Sequence, residues 1–184
     1  MASRLNLGCG LDIRKGFINV DRCVLEGVDL VCDLNTFPYP FRDDTFDEIR
    51  AYSIIEHLHD TIGVVNELHR ILKDRGVLRI LVPYWNSRSA FGDVTHVRYF
   101  DFESFDFLDD RKPSARNRGY YCRARFRIEQ MDYLVNLGFL GRGKTLYFRG
   151  SFFSGIVKEC LKYIPNTIQG LFFELRCLKS GSLP

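Results

Sequence analysis

Short apolar runs punctuated by glycine, proline and acidic turns fill the first half of the chain, and one stretch switches to helical spacing. Arg4 to Leu7 reads as a buried strand ending at a glycine-rich turn. Phe17 to Arg22 predicts a second strand, Asp29 to Leu34 a third and Phe46 to Tyr52 a fourth. Asn35 to Thr45 breaks the pattern as a loop, with Pro38, Pro40 and the Asp43-Asp44 turn. From Asp60 the period changes: Val64, Val65, Leu68, Ile71 and Leu72 fall on one helical face. That spacing predicts a helix to about Lys73, capped by Asp60 and stopped by Asp74-Arg75-Gly76, with Gly76 in the left-handed turn. Val77 to Val82 predicts a fifth strand, ended by Pro83.

After residue 100 the pattern weakens. Phe102 to Leu108 reads as a short helix, Arg125 to Glu129 as a strand, Met131 to Asn136 as one or two helical turns, and Lys144 to Phe148 as a strand. The last thirty residues read as helical, broken at Pro165 and Gly170. They are very apolar: Phe152, Phe153, Ile156, Val157, Leu161, Ile164, Leu171, Phe172 and Phe173. Helices packed on a sheet explain this best; an amphipathic segment resting on a membrane surface, a peripheral membrane contact, is the competing reading. Strands alternating with helices imply an α/β fold with a parallel sheet and crossovers.

Composition sets the scale. A chain of 184 residues, 46% of them apolar, suits a single domain over 1–184 with a full core and no staples. Sixteen Phe and nine Tyr also suit pockets for flat ligands. The net charge of +3 names no partner, but Arg111 to Gly150 holds ten Lys or Arg against two acids, so the remainder is acidic. A local basic patch fits an anionic partner or substrate; a solvated face is the plainer reading. The six cysteines, at 9, 23, 32, 122, 160 and 177, form no C-x-x-C pair and read as reduced thiols. With no apolar signal region and no apolar run of 18 residues, a cytoplasmic protein is expected.

The candidate chemistry begins at Gly8-Cys9-Gly10, where a strand enters two closely spaced glycines and a ligand can approach the backbone. Asp21, at the carboxyl end of the second strand, can accept both ribose hydroxyls of an adenosine. Asp33 and Leu34 end the third strand, where an acid or its backbone meets an adenine amino group and Leu34 covers the ring. Each residue alone is an ordinary turn residue; three strand ends aimed at one nucleoside make the pattern.

In series these segments resemble a known family. Leu5-Asn6-Leu7-Gly8-Cys9-Gly10 is similar to the first motif of class I S-adenosylmethionine-dependent methyltransferases. The segment from Phe37 to Asp47, Ser53-Ile54-Ile55-Glu56-His57-Leu58, Glu67 to Lys73 and Gly76-Val77-Leu78 resemble successive motifs of the type 11 methyltransferase domain. The likeness covers roughly residues 4 to 84, and Asp93 to Phe100 resembles a further stretch found in a subset of such proteins. The resemblance implies a Rossmann-like methyltransferase fold: a mostly parallel seven-stranded sheet flanked by helices, the last strand antiparallel. It also implies S-adenosyl-L-methionine as cofactor, with Asn6, Gly8, Cys9 and Gly10 lining it, Asp21 at the ribose, Asp33 and Leu34 at the adenine, and Tyr52 and Ser53 near its methionine part. Residues 1–84 would then be the cofactor half, and 85–184 the acceptor, lid and C-terminal half. Two departures stand out: Leu11 to Gly16 leaves barely one turn where many relatives carry a full helix, and Asp74-Arg75-Gly76 replaces Pro-Gly-Gly. The first raises the question of what holds the methionine carboxylate, with Arg14 and Lys15 as candidates.

Methyl transfer needs an aligned acceptor, exclusion of water and, for a hydroxyl or protonated amine, a base. His57 and His96 are the candidate bases, with His59 behind them and Asp93 able to orient His96; a structural hydrogen bond is the alternative for each, and His69 reads as structural. Tyr84, Trp85 and Tyr99 are candidate acceptor contacts. His57-x-His59 and Asp93-x-x-His96 lack a supporting cluster, so no metal site is expected. The Asn/Asp-Pro-Pro-aromatic signature of base-directed amino methyltransferases and a paired catalytic cysteine arrangement are both absent. The reading is a methyltransferase for a small or medium anionic molecule such as a lipid or sugar conjugate, with Arg111 to Arg127 as part of a lid. An RNA methyltransferase, reading nucleic acid through Arg111 to Arg127, and a non-catalytic S-adenosylmethionine-binding regulatory protein are the alternatives. The oligomeric state is open.

Overall fold

The computed structural model describes residues 3–136, 145–149 and 163–179. In chain order its elements are β1 (Arg4–Leu7), β2 (Ile18–Asp21), β3 (Leu30–Val31), β4 (Phe46–Tyr52), α1 (Thr61–Ile71), β5 (Leu72–Pro83), α2 (Arg88–Phe91), α3 (Pro113–Arg118), β6 (Phe126–Asn136), β7 (Thr145–Arg149) and β8 (Ile168–Cys177). The strands form one sheet in the order β3-β2-β1-β4-β5-β8-β6-β7. β1 to β5 are mutually parallel, as the alternation of elements predicts. β8, the last strand, runs antiparallel between β5 and β6. β7 pairs antiparallel with β6 at the edge and makes an eighth strand beside the seven expected.

The sheet has two unlike faces. Leu5, Leu7, Val20, Ile49, Leu78, Ile80, Leu171, Phe173 and Leu175 point to one face and are fully or almost fully buried. α1 packs there through Val64, Val65, Leu68 and Ile71, and the 100–108 segment adds Phe100, Phe105 and Leu108. Each such side chain contributes about 1.5–3 kcal/mol on burial. The other face carries Asn6, Asn19, Glu48, Arg50, Arg79, Glu174 and Arg176. On it Arg79 pairs with both Glu48 and Glu174, and Arg176 with Glu129 at 2.7 Å.

The connections 8–17 and 22–29, beside that polar face, hold no helix. Side-chain amides replace it. Asn6 Nδ2 donates to the Asp12 carbonyl and to Asn19 Oδ1, at 2.8 and 3.0 Å. Asn19 Oδ1 also accepts from Arg14 N, and Asn19 Nδ2 donates to the Arg14 carbonyl and to Asp29 Oδ2. Both asparagines are buried, so this network satisfies polar groups that would otherwise be costly.

Several sequence expectations need correction. Met131 to Asn136 is not helical but the second half of β6, paired with β7 and β8. The apolar C-terminal stretch is not helical from Ile168 onward: it is β8, with Leu171, Phe173, Leu175 and Cys177 inside and Phe172, Glu174 and Arg176 on the polar face. Phe152, Phe153, Ile156, Val157 and Leu161, and with them the membrane-contact reading, lie outside the described residues. No helix of the described residues is long and apolar enough to cross a membrane. α1 passes directly into β5, and Arg75 rather than Gly76 takes the left-handed conformation, at φ +63°. Asp60 caps α1 as expected, accepting from Gly63 N at 2.8 Å. The five described cysteines are free thiols.

The 37–45 loop is held chiefly by Arg70, which pairs with Glu67 and with Asp43. Arg70 donates to both Glu67 oxygens and to the carbonyls of Tyr39 and Phe41, while Glu67 Oε2 accepts from Tyr39 N at 2.8 Å. The Arg70 guanidinium holds the Glu67 carboxyl below its ordinary value of 4.5. A lowered native pKa contributes stability above the unfolded value that is lost as pH falls through the native one. Glu67→Gln should therefore cost about 1–3 kcal/mol at neutral pH, in the range of charged hydrogen bonds. In denaturant titrations the gap from the parent protein should shrink progressively below pH 4.5; a gap that stays constant with pH would show that the charge on Glu67 contributes nothing.

Candidate functional site

At the carboxyl ends of β1, β2 and β4 lies a cavity of about 580 Å³, within the usual range for small-ligand sites. Gly8 and Gly10 form its floor, with φ of +61° and +49°, a region L side chains rarely adopt. A Cβ at Gly8 would meet Ile54 Cγ1 at 2.3 Å, whereas one at Gly10 would meet nothing within 4 Å. Asp21 stands on the wall. Its Oδ2 accepts from Gly10 N at 2.8 Å and its Oδ1 from Cys23 N at 2.9 Å, which fixes the carboxylate and leaves a further lone pair on each oxygen. Asp33, whose Oδ1 accepts from Asn35 N, and the buried Leu34 line the same space. So does Ser53, held at φ +51° while its N–H donates to the Leu81 carbonyl. A non-glycine residue in that conformation at a strand end stores local strain beside the cavity.

Three residues expected to line this cavity do not. Asn6 spends its amide on Asn19 and Asp12, on the polar face of the sheet. Cys9 is buried, and burial pushes its thiol pKa up. Tyr52 stacks under the Arg50 guanidinium at 3.9 Å and lines a separate cavity of about 310 Å³ with Leu81, Asp132 and Phe172. Arg14 pairs with Asp12 and lies away from the cavity. Arg22, which follows Asp21 directly, does line it, and no motif in the sequence marks it.

His57 and Thr95 enter the cavity from the opposite side. The turn 55–57 and the loop 93–98 are joined there: the N–H groups of Val97 and Arg98 both donate to the Glu56 carbonyl, at 2.9 and 3.1 Å, and Arg98 also donates to the His59 carbonyl. This brings the His57 and His96 rings edge to face at 4.7 Å. His96 Nδ1 lies 2.9 Å from the Ala90 carbonyl. Asp93 does not orient His96, the arrangement expected from the sequence. Its Oδ1 accepts from the Thr95 hydroxyl at 2.6 Å, and Thr95 Oγ1 lies 2.8 Å from His57 Nδ1, so Asp93 supports His57 instead. The Thr95 hydrogen bonds hold the Asp93 carboxyl below its ordinary value, and burial lowers His57. Glu56 is 1% exposed, neither of its oxygens has a hydrogen-bond partner, and burial raises its carboxyl to about 7. In the sequence Glu56 stands only inside a motif, with no signal of its meeting with His96.

Residues 2–80 match the family described as "Methyltransferase domain". An uncharacterized protein of Methanocaldococcus jannaschii is 23% identical over 145 residues, covering 67% of this chain, and the chain spans 61% of that relative's length. A solved S-adenosylmethionine-dependent methyltransferase of Archaeoglobus fulgidus superposes with a TM-score of 0.65 at 19% identity, covering 95% of this chain and 86% of that one. A methyltransferase of Haloferax volcanii, in complex with the Trm112 methyltransferase activator, gives 0.58 at 16% identity over 99% and 84%. The match to that family covers residues 2–80, and the fold is that of solved S-adenosylmethionine-dependent methyltransferases. The cradle at Gly8 and Gly10, together with the open acceptor positions on Asp21, fits a nucleoside-bearing ligand.

A second cavity of about 510 Å³ lies past β5, lined by the rings of Trp85, Phe91, Tyr99 and Phe100 and by Asp101, Glu103, Ser104 and Arg118. Trp85 and Tyr99, expected as acceptor contacts, both line this cavity. Tyr84 does not: it is 2% exposed and packs against Phe102 and Trp85. The segment 91–100 serves both cavities, Thr95 and Val97 in the first, Phe91, Tyr99 and Phe100 in the second. In the basic segment, Arg111, Lys112 and Arg125 are paired with Asp109, Asp106 and Asp110. Arg116, Arg118 and Arg123 make no ion pair among the described residues.

Gly8→Ala would force a methyl group into Ile54 at a positive φ. It should lower the unfolding free energy by about 2 kcal/mol or more and weaken S-adenosylmethionine binding measured by calorimetry. A variant with parental stability and affinity would show that the backbone does not need glycine here.

Proposed function

We propose that the protein transfers a methyl group from S-adenosylmethionine to a small or medium acceptor carrying an anionic group, bound in the cavity of Trp85, Tyr99 and Arg118. The observation that carries the reading is the pair of cavities sharing the 91–100 segment, with Asp21 and the glycine turn in one and, in the other, Arg118 with aromatic rings and the carboxylates of Asp101 and Glu103. S-adenosylmethionine supplies an electrophilic methyl group on a sulfonium. Asp21, already oriented by Gly10 N and Cys23 N, accepts the ribose hydroxyls. Asp33 and Leu34 take the adenine edge and face, and Ser53 lies toward the methionine part. Ile54, Leu58 and Val97 add apolar wall that excludes water, the main demand of a transfer whose donor is already activated. His57 lines the cofactor cavity, and His96 packs against its ring. Arg118 supplies the charge that selects an anionic acceptor, and aromatic rings beside it take the acceptor body.

The paired state of Arg111, Lys112 and Arg125 favours a small anion over RNA, because those charges are already neutralised by neighbouring aspartates. Calorimetry tests the cofactor half: S-adenosylmethionine and its demethylated product should both bind, and Asp21→Ala should weaken both at least about tenfold, a loss of about 1.4 kcal/mol or more. Affinity unchanged in that variant would overturn the cofactor assignment. For the acceptor half, Arg118→Ala should raise KM for an anionic acceptor with little change in kcat. Methylation of RNA with steep salt dependence would overturn the small-acceptor reading.

A further inference from the structure

We propose that Glu56, His57 and His96 form a divalent-cation centre of the zinc class at the acceptor side of the cofactor cavity. One ligand atom from each of the three lies within 4.8 Å of the others. Ions of this class bind His nitrogen and carboxylate oxygen at about 2.0–2.2 Å in tetrahedral geometry, which puts the ligand atoms of an occupied site about 3.3–3.6 Å apart. Closing the set therefore takes side-chain shifts of about an ångström.

Three features prepare these groups as ligands. Glu56 is 1% exposed and neither of its oxygens has a hydrogen-bond partner. A buried carboxylate in that state is stabilised by a cation more than by any neighbour it has. The imidazoles are in the tautomer a metal needs. His96 Nδ1 faces the Ala90 carbonyl, which only accepts, so Nδ1 carries the hydrogen and Nε2 the lone pair. Thr95 gives its single hydroxyl hydrogen to Asp93 Oδ1, so its oxygen accepts from His57 Nδ1, and Nε2 of that ring also keeps its lone pair. A carboxylate or carbonyl behind each ligating histidine is the usual support of such sites. Finally, the two hydrogen bonds from Val97 N and Arg98 N to the Glu56 carbonyl hold the two ligand-bearing segments against each other, so little chain entropy remains to be lost on binding.

Two histidines and one carboxylate suit a borderline cation such as Zn²⁺, Fe²⁺ or Mn²⁺ and leave coordination positions open. Because His57 lines the cofactor cavity, an ion here would hold and acidify an acceptor hydroxyl next to the methyl donor, as a Lewis acid and as a template. This use rests on the methyltransferase reading; binding of the ion does not.

The test uses the full chain, stripped with chelator and titrated with Co²⁺, followed by visible absorption, and with Zn²⁺, followed by calorimetry. One equivalent should bind, the Co²⁺ spectrum should lack thiolate charge-transfer bands, and Zn²⁺ should raise the unfolding temperature. Glu56→Gln and His96→Ala should each weaken binding by about a hundredfold or more, beyond the effect of losing a supporting group. Glu56 is fully buried, so if its variant does not fold, the half-buried His96 carries the test. S-adenosylmethionine binding by His96→Ala, measured in parallel, should match the parent. No ion binding, binding through the cysteines, or binding unchanged in the folded variants would overturn the centre. None of those results would touch the cofactor reading, which stands or falls with Asp21.

Discussion

A buried pair of side-chain amides, Asn6 and Asn19, underlies the cofactor end of the molecule. Together they satisfy the main chain of the 12–17 turn and one oxygen of Asp29. Each buried polar group left unpaired costs about 1–3 kcal/mol, so a fold that puts several of them on one asparagine depends on that residue heavily. The return is a connection from β1 to β2 with no helix in it. Val20 O then accepts from Cys9 N, Gly10 N donates to Asp21, and the acid at the end of β2 stands opposite the glycine turn. The short connection is solved by hydrogen bonding rather than by packing, which is why the residue expected to touch the cofactor, Asn6, is turned to the other face.

The legible part of the fold is the part where local pattern and tertiary environment agree. β1, β2, β4 and α1 each keep one period along their length, and Asp60 caps α1 by its own chemistry. The last strands hide because their period is interrupted. A register shift between Ile128 and Gln130 moves the inward positions of β6 by one residue, so neither a strand nor a helix period runs through it. In β8, Leu171, Phe172 and Phe173 form a continuous apolar run because Phe172, on the polar face, meets the Tyr52 ring at 6.1 Å. An apolar run of that kind reads equally as a buried helix.

The site divides in the same way. Gly8, Gly10, Asp21, Asp33 and Leu34 were legible because strand ends in a parallel sheet converge by topology alone. The histidine side was legible in its members but not in its pairing. Sequence spacing suggested that Asp93 supports its neighbour His96, yet an Asp93 turn onto Thr95 N directs the carboxylate to the Thr95 hydroxyl and through it to His57. Glu56 and His96 meet only because the 93–98 loop folds back onto the Glu56 carbonyl, a main-chain contact that no side-chain pattern announces.

The same distinction governs the charge of the second half. Counting Lys and Arg from 111 to 127 gives a basic segment with no acid in it, and such a count suggests a broad surface for a polyanion. The acids that neutralise it lie just before it, at Asp106, Asp109 and Asp110. Asp109 is buried and also accepts from Ile128 N, so its pairing with Arg111 belongs to the fold, not to a binding surface. What makes no ion pair among the described residues is narrower: Arg118 at a cavity that also holds Trp85 and Tyr99, with Arg116, Arg123 and Arg127 nearby in sequence. On the proposed reading this one guanidinium, in a cavity that also holds Asp101 and Glu103, meets one anionic group on a molecule of limited size. A polyanion would instead need many unpaired charges in register, and the ion pairs of this segment have removed three of them.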